Sequence, residues 1–135
     1  MGDALPFVDL GTGRTAKAIV VGDVHTCAVL DDDRVKCWGK NSEGRLGLGD
    51  TLDRGEAPGQ MGDALLHVDL GTARTAKSLS ANMNHTCAVL DNDRLKCWGY
   101  NLYGKLGLGD DDHRGDDPGE MGDALPYVQL VGVGP

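Results

Sequence analysis

Aromatic side chains are scarce in this chain, with one Phe, three Tyr and two Trp among 135 residues. Glutamate is scarce as well. Of the 21 acidic residues only Glu43, Glu56 and Glu120 are glutamate, leaving 18 aspartates. Glu suits helix interiors and Asp suits turns and caps, so the imbalance excludes helical bundles and coiled coils. Serine is nearly missing too: Ser42, Ser78 and Ser80 are the whole set. No apolar run approaches the ~18 residues of a spanning helix, and no signal-peptide core is visible in the sequence.

Basic charge is also short. Lys and Arg total 13 against the 21 acids, giving a formal net charge of −8. Nucleic-acid binding requires phosphates to be neutralised by Lys and Arg, so duplex DNA or RNA is not an expected partner. An anionic membrane surface is disfavoured for the same reason, and membrane insertion is not expected.

Glycine, by contrast, is abundant at 21 residues, and much of it recurs at fixed phase. Met1-Gly2-Asp3-Ala4-Leu5 returns at Met61 and again at Met121, a period of 60 residues without a gap. Residues 1–60 and 61–120 are identical at 38 of 60 positions. A third copy, 121–135, keeps the opening and then departs from it at Leu130-Val131-Gly132-Val133. The chain therefore divides into two full units, 1–60 and 61–120, with a partial third repeat and tail over 121–135.

Each unit reads as short strands separated by turn signals. Pro6 to Leu10, Ala16 to Val21, Thr26 to Leu30 and Val35 to Trp38 are the expected strands of the first. Ala76 to Ala81 repeats the second of these. Residues 39–59, punctuated by Gly39, Gly44, Gly47, Gly49, Gly55, Pro58 and Gly59, read as a long ordered loop. Four strands per unit is the content of one propeller blade.

The run His25-Thr26-Cys27-Ala28-Val29-Leu30-Asp31, then Val35-Lys36-Cys37-Trp38-Gly39-Lys40-Asn41, then Gly44-Arg45-Leu46-Gly47-Leu48-Gly49-Asp50 resembles the regulator-of-chromosome-condensation (RCC-type) repeat, and His85 to Asp110 repeats it. The resemblance implies an all-β chain: two four-stranded antiparallel blades of a β-propeller, with one extra strand from the partial third repeat. The complete ring of the family has about seven blades. Asp33 and Asp93 stand where the family often has Gly, Arg45 and Lys105 where it has Gln, and Asn82 where it has Gly. Two blades do not close a ring, and repeat units need neighbours to bury their faces. The expected partners are further repeats that complete a propeller, other proteins, or copies of the chain forming a homo-oligomer. An excerpt of a longer array and a ring-closing protomer both fit, since Met1 sits in phase with Met61 and Met121.

Cys27 and Cys37 are ten apart, as are Cys87 and Cys97. If Asp31-Asp32-Asp33 is a three-residue hairpin loop with its last residue left-handed, Leu30 faces Arg34 and Cys27 faces Cys37. Counting back from a hydrogen-bonded 30/34 pair makes 27/37 a non-hydrogen-bonded pair, whose Cα separation of about 4.5 Å suits a disulfide. A four-residue loop would instead put the thiols on opposite faces, and two free buried cysteines per blade is the alternative state. Disulfides imply an oxidising compartment: secreted, periplasmic or an organelle lumen. Each would close a small loop and contribute ~2–3 kcal/mol. The long Cys-to-Cys span lacks the spacing of zinc ribbons, so no metal is expected. His25 and His85 are expected to cap a strand or hydrogen-bond within the blade.

Other candidates are weaker. Asp110-Asp111-Asp112-His113-Arg114-Gly115-Asp116-Asp117 is a dense acidic loop, yet its spacing fails the EF-hand and its counterpart, residues 50–57, keeps few carboxylates. A solvated loop is the simpler reading. Arg114-Gly115-Asp116 matches an integrin-type tripeptide, and Asn84-His85-Thr86 is a formal glycosylation sequon. Trp38 and Trp98 are expected to pack between blades. Tyr100, Leu102 and Tyr103 replace Lys40, Ser42 and Glu43; this is the best sequence hint of a contact surface, and covering a neighbouring blade is the alternative.

No catalytic constellation, P-loop or dinucleotide fingerprint is present, so no catalytic residue and no cofactor is expected. The sequence points to a non-enzymatic scaffold or protein-interaction module, a segment or accessory subunit of a larger assembly. The alternatives are a secreted inhibitor, a regulator including one that exchanges nucleotide on a small GTPase, and a lectin-like binder.

Overall fold

The computed structural model describes residues 1–130; the departure at Val131-Gly132-Val133 lies outside them. Two three-stranded antiparallel sheets follow one another. The first comprises β1 (Ala16–Val21), β2 (His25–Leu30) and β3 (Val35–Gly39), and the second β4 (Ala76–Ala81), β5 (His85–Leu90) and β6 (Leu95–Gly99). No α-helix occurs among the described residues, only short 3₁₀ turns such as Ser42–Gly44 and Leu102–Gly104.

The hairpins follow from their loops. Asp33 N donates to Leu30 O and Leu30 N to Arg34 O, at 2.9 and 2.8 Å, closing a three-residue loop. Asp33 and Asp93 both take the left-handed conformation, at φ 66° and 65°. That closure sets the register, and Cys27 falls opposite Cys37 and Cys87 opposite Cys97. A second left-handed position differs between the units, being Gly13 (φ 72°) in the first and Ala73 (φ 59°) in the second. An L-residue pays roughly 1 kcal/mol there that Gly avoids, so Ala73→Gly is expected to raise the unfolding free energy by up to ~1 kcal/mol and Gly13→Ala to lower it, in urea titrations.

The expected fourth strand does not form. Each sheet has three strands, and the segments beginning at Pro6, Leu66 and Pro126 are irregular, so among the described residues the partial third repeat adds no strand. The outer edge of β3 is instead shared by two chain segments, each touching one point. Arg54 exchanges both backbone bonds with Gly39, and Val68 N donates to Val35 O at 2.8 Å. Val128 N repeats the second contact on Leu95 O. A five-residue strand divided in this way leaves neither segment a ladder.

Because 61–70 lies back on the first sheet, the core is common to both units. Val29, Val35, Leu46, Val68, Leu70, Ala76, Leu90 and Trp98 belong to one buried cluster. Lys36 and Lys96 are buried beside it at 3% and 2% exposure, each capping one carbonyl that precedes its own sheet and one at the start of the next repeat. Lys36 Nζ donates to Leu10 O and Gly62 O at 2.9 and 2.8 Å, and Lys96 Nζ to Leu70 O and Gly122 O. A buried ammonium is tolerable only with such acceptors. These two lysines tie each sheet to the start of the next repeat.

Candidate interaction surface

The loop after β3 is built on one buried amide. Asn41 donates through Nδ2 to Asp50 O and Asp50 Oδ1, and its Oδ1 accepts from Leu46 N at 2.9 Å. Asn101 does the same for Asp110 and Leu106. Where Asn41 N donates to Asp53, Asn101 N donates to His113 Nδ1, whose ring stacks on Tyr100 at 5.0 Å. The changes Lys40 to Tyr100 and Asp53 to His113 are therefore coupled.

In the first unit this loop is the junction with the second. The Arg45 carbonyl accepts from Thr86 Oγ1 at 2.9 Å and Trp98 Nε1 at 3.1 Å. Thr86 also meets His25 Nε2 at 2.9 Å. Thr86 has given its proton to the carbonyl, so His25 donates through Nε2 and is neutral, leaving Nδ1 buried without a partner. Burial first, and the Arg45 charge second, lower its pKa from 6.5 to about 4. His25 thus bonds across the units rather than within its own, because β2 turns that ring toward the neighbouring sheet. Arg45 Nη1 reaches Met83 O at 2.6 Å, and Gly49 N donates to Gly115 O at 2.9 Å.

The sequence candidates fall in different settings. Trp98 is wholly buried at this junction, and Trp38, on the open side of the first sheet, is half-buried. Tyr100 is turned inward, with Lys105 Nζ 4.9 Å from its ring centre. Leu102 and Tyr103 stand at the loop tip, at 41% and 89% exposure. Cys27 and Cys37 have Cα atoms 4.1 Å apart, as do Cys87 and Cys97, and both pairs are joined as disulfides. Asn84 is half-buried and its Oδ1 accepts from Lys105 Nζ. In Arg114-Gly115-Asp116 the arginine is held by Asp110 and the glycine is buried in the junction, so the tripeptide is not displayed.

The acidic loop is largely self-satisfied. Asp110 accepts from Arg114, Asn101 and Asp112 N, which together lower its pKa, the Arg114 hydrogen bond foremost. Asp116, Asp117 and Glu120 bring carboxylate oxygens within 4.8 Å of one another. Burial raises the Glu120 pKa, yet its Oε1 already accepts from Gly115 N and Asp117 N. Gln60 clasps the equivalent loop of the first unit, so Glu120 is a loop clasp in the same position.

Lys36, Asn41 and their repeats Lys96 and Asn101 are the structural residues that the sequence reading did not single out. Their signal was present, since each is identical in both units.

Two antiparallel units, sharing one core and joined through a loop carbonyl, define a tandem β-repeat protein of the propeller-blade kind. The profile of the regulator of chromosome condensation (RCC1) repeat matches residues 16–45 and 76–105, and the chain belongs to that RCC-type β-propeller family. It is 39% identical over 98 residues to the ultraviolet-B receptor UVR8 of Arabidopsis thaliana, covering 73% of this chain and 20% of the receptor. It is 38% identical over 95 residues to the X-linked retinitis pigmentosa GTPase regulator of Mus musculus, covering 70% and 9%. Among solved structures, Prp20p of Saccharomyces cerevisiae superposes with a TM-score of 0.65 at 19% identity, over 90% of this chain and 27% of that one. The chain spans a fifth or less of these two curated relatives.

Proposed function

We propose that the chain is a protein-interaction module without catalysis of its own, two rigid blades presenting a surface for another protein. The observation that carries this reading is the exposed apolar pair Leu102 and Tyr103. Their counterparts Ser42 and Glu43 flank the junction, where Gly44 lies against Gly115 and Asp116. Exposed aromatics at a loop tip are the chemistry of contact surfaces. Prp20p, whose structure was reported with its binding to Gsp1p and histones, supports protein partners for the family's fold.

A photo-crosslinking residue at position 103 should form one discrete protein adduct in source cells, and Leu102→Asp should abolish it. A smear of adducts that Leu102→Asp leaves unchanged would sink the reading.

The facing cysteines support an oxidising compartment. Alkylation of the natural protein before reduction should label none of Cys27, Cys37, Cys87 and Cys97, and all four afterwards. Full labelling without reductant would remove that argument.

A further inference from the structure

The segment that leads into the second sheet is stitched to the β2–β3 hairpin at both feet. Val68 N donates to Val35 O at 2.8 Å, and Ala76 N to Asp33 O at 3.0 Å. Between those bonds the segment and the hairpin enclose a cleft of about 420 Å³. Asp32 and Arg34 line it from the hairpin, and His67, Asp69, Arg74 and Thr75 from the segment. Both walls lie inside the chain, at the boundary between its two units.

The acids of this cleft are committed and its bases are not. Asp32 accepts from Arg14 Nη1 at 2.7 Å and from Arg34 N at 3.1 Å. Asp69 accepts from Gly71 N, and its carboxylate packs against Gly122. Arg34 is exposed, and its guanidinium has no hydrogen bond or ion pair among the described residues. Arg74 has one partner where its counterpart Arg14 has two. Arg14 bridges Asp31 and Asp32, whereas Arg74 reaches Asp91 alone, at 3.4 Å, because Asn92 stands in the place of Asp32. His67 Nδ1 is buried without a partner, whereas Nε2 keeps access to solvent. An orphaned lone pair costs less than an orphaned N–H, which puts the proton on Nε2 as a donor.

Departures from the repeat make the difference. The position reads Phe7, His67 and Tyr127 in successive repeats. In the second unit Arg94 lies 3.8 Å from the centre of the Tyr127 ring, and Asn92 Nδ2 donates to the Tyr127 hydroxyl. In the first unit His67 has no hydroxyl and Asp32 is turned to Arg14, so that pairing is absent. We propose that the cleft binds an oxyanion, the carboxylate or phosphate group of a ligand, held by Arg34, Arg74 and His67. A guanidinium fork matches either group. The formal charge of −8 does not forbid it, since exposed charges are screened beyond ~8 Å at 0.15 M salt. The site is separate from the Leu102–Tyr103 surface.

The test is nuclear magnetic resonance titration of the purified chain at pH 7 and constant ionic strength, with inorganic phosphate and with succinate. The Nε–H signals of Arg34 and Arg74 and the His67 ring report binding, and Arg94 serves as the internal control. Saturable shifts at the first three are expected, with a dissociation constant on the order of 1 mM. Saturation by phosphate alone assigns a phosphoryl group, by succinate alone a carboxylate, and by both the chemistry they share. Arg34→Gln should weaken binding about tenfold, read at Arg74 and His67. Asp32→Asn combined with His67→Tyr, which writes the second unit's pair into the first, should abolish the shifts. Thermal unfolding checks the fold of each variant; should the double variant unfold, Arg34→Gln, at an exposed side chain, carries the test. Absence of shifts with both anions overturns the proposal. So do shifts that never saturate, that appear equally at Arg94, or that Arg34→Gln leaves unchanged.

Discussion

Replacing Trp98 by Ala should lower the unfolding free energy by about 3 to 5 kcal/mol, while Trp38→Ala should cost less than half of that. The two tryptophans occupy the same place in their units, on β6 and β3, and differ only in what lies beyond. Trp98 is 0% exposed, sealed by Gly47 and Met121, and its Nε1 donates to the Arg45 carbonyl. Trp38 is half-buried, so less packing is lost on its removal. Trp98→Phe separates packing from polarity. It keeps most of the ring and deletes one donor to a carbonyl that Thr86 still serves, so it should cost ~1 kcal/mol. Urea unfolding followed by far-ultraviolet circular dichroism measures all three, since removing a tryptophan compromises fluorescence. Equal losses for Trp38→Ala and Trp98→Ala would show that the junction does not hold the units together.

Much of the architecture was legible because it repeats. The hairpin register followed from the length of one loop, and the left-handed aspartates at 33 and 93 followed from that loop's closure. The missing strand was not legible. A segment such as Pro6 to Leu10 has strand composition, but whether it pairs depends on how much of the β3 edge remains, and Arg54 and Val68 divide it. Lys36 and Lys96 were hidden for a related reason. A lysine within a strand reads as a solvent-facing position, yet here both faces of the sheet are covered, and the lysine on the second face caps a carbonyl of the next repeat. His25 was recognisable as a structural residue, but its partner, Thr86, is 61 residues away and belongs to contact between units. Tyr100, Leu102 and Tyr103 stood out as departures from the repeat; their division into one inward ring and two exposed side chains is a product of the His113 stack.

Acid should destabilise the protein well above the range in which its carboxylates protonate. His25 has a folded pKa of about 4 against an ordinary 6.5. Between those values the unfolded chain binds a proton that the folded one does not, so stability rises with pH across this window. The contribution is fully present above it and is lost as pH falls from about 6.5 toward 4. The difference amounts to about 2 to 3 kcal/mol at pH 4.5. His67 and His85 are lowered too, chiefly by burial, and add in the same direction. Glu120 acts oppositely, since its raised pKa makes protonation favour the folded state as pH falls, offsetting part of the loss. The lowered carboxyls of Asp50, Asp63, Asp110 and Asp123, held down by hydrogen bonds and neighbouring cations, contribute stability that disappears only below their ordinary range. Asp23 and Arg45 face His25 with opposite effects, and burial outweighs both. Urea midpoints at pH 7 and pH 4.5 should therefore fall steeply for the wild type. His25→Gln, which can still offer an N–H toward Thr86 but does not titrate, should keep most of its pH 7 stability at pH 4.5. An unchanged slope in that variant would place the acid sensitivity elsewhere.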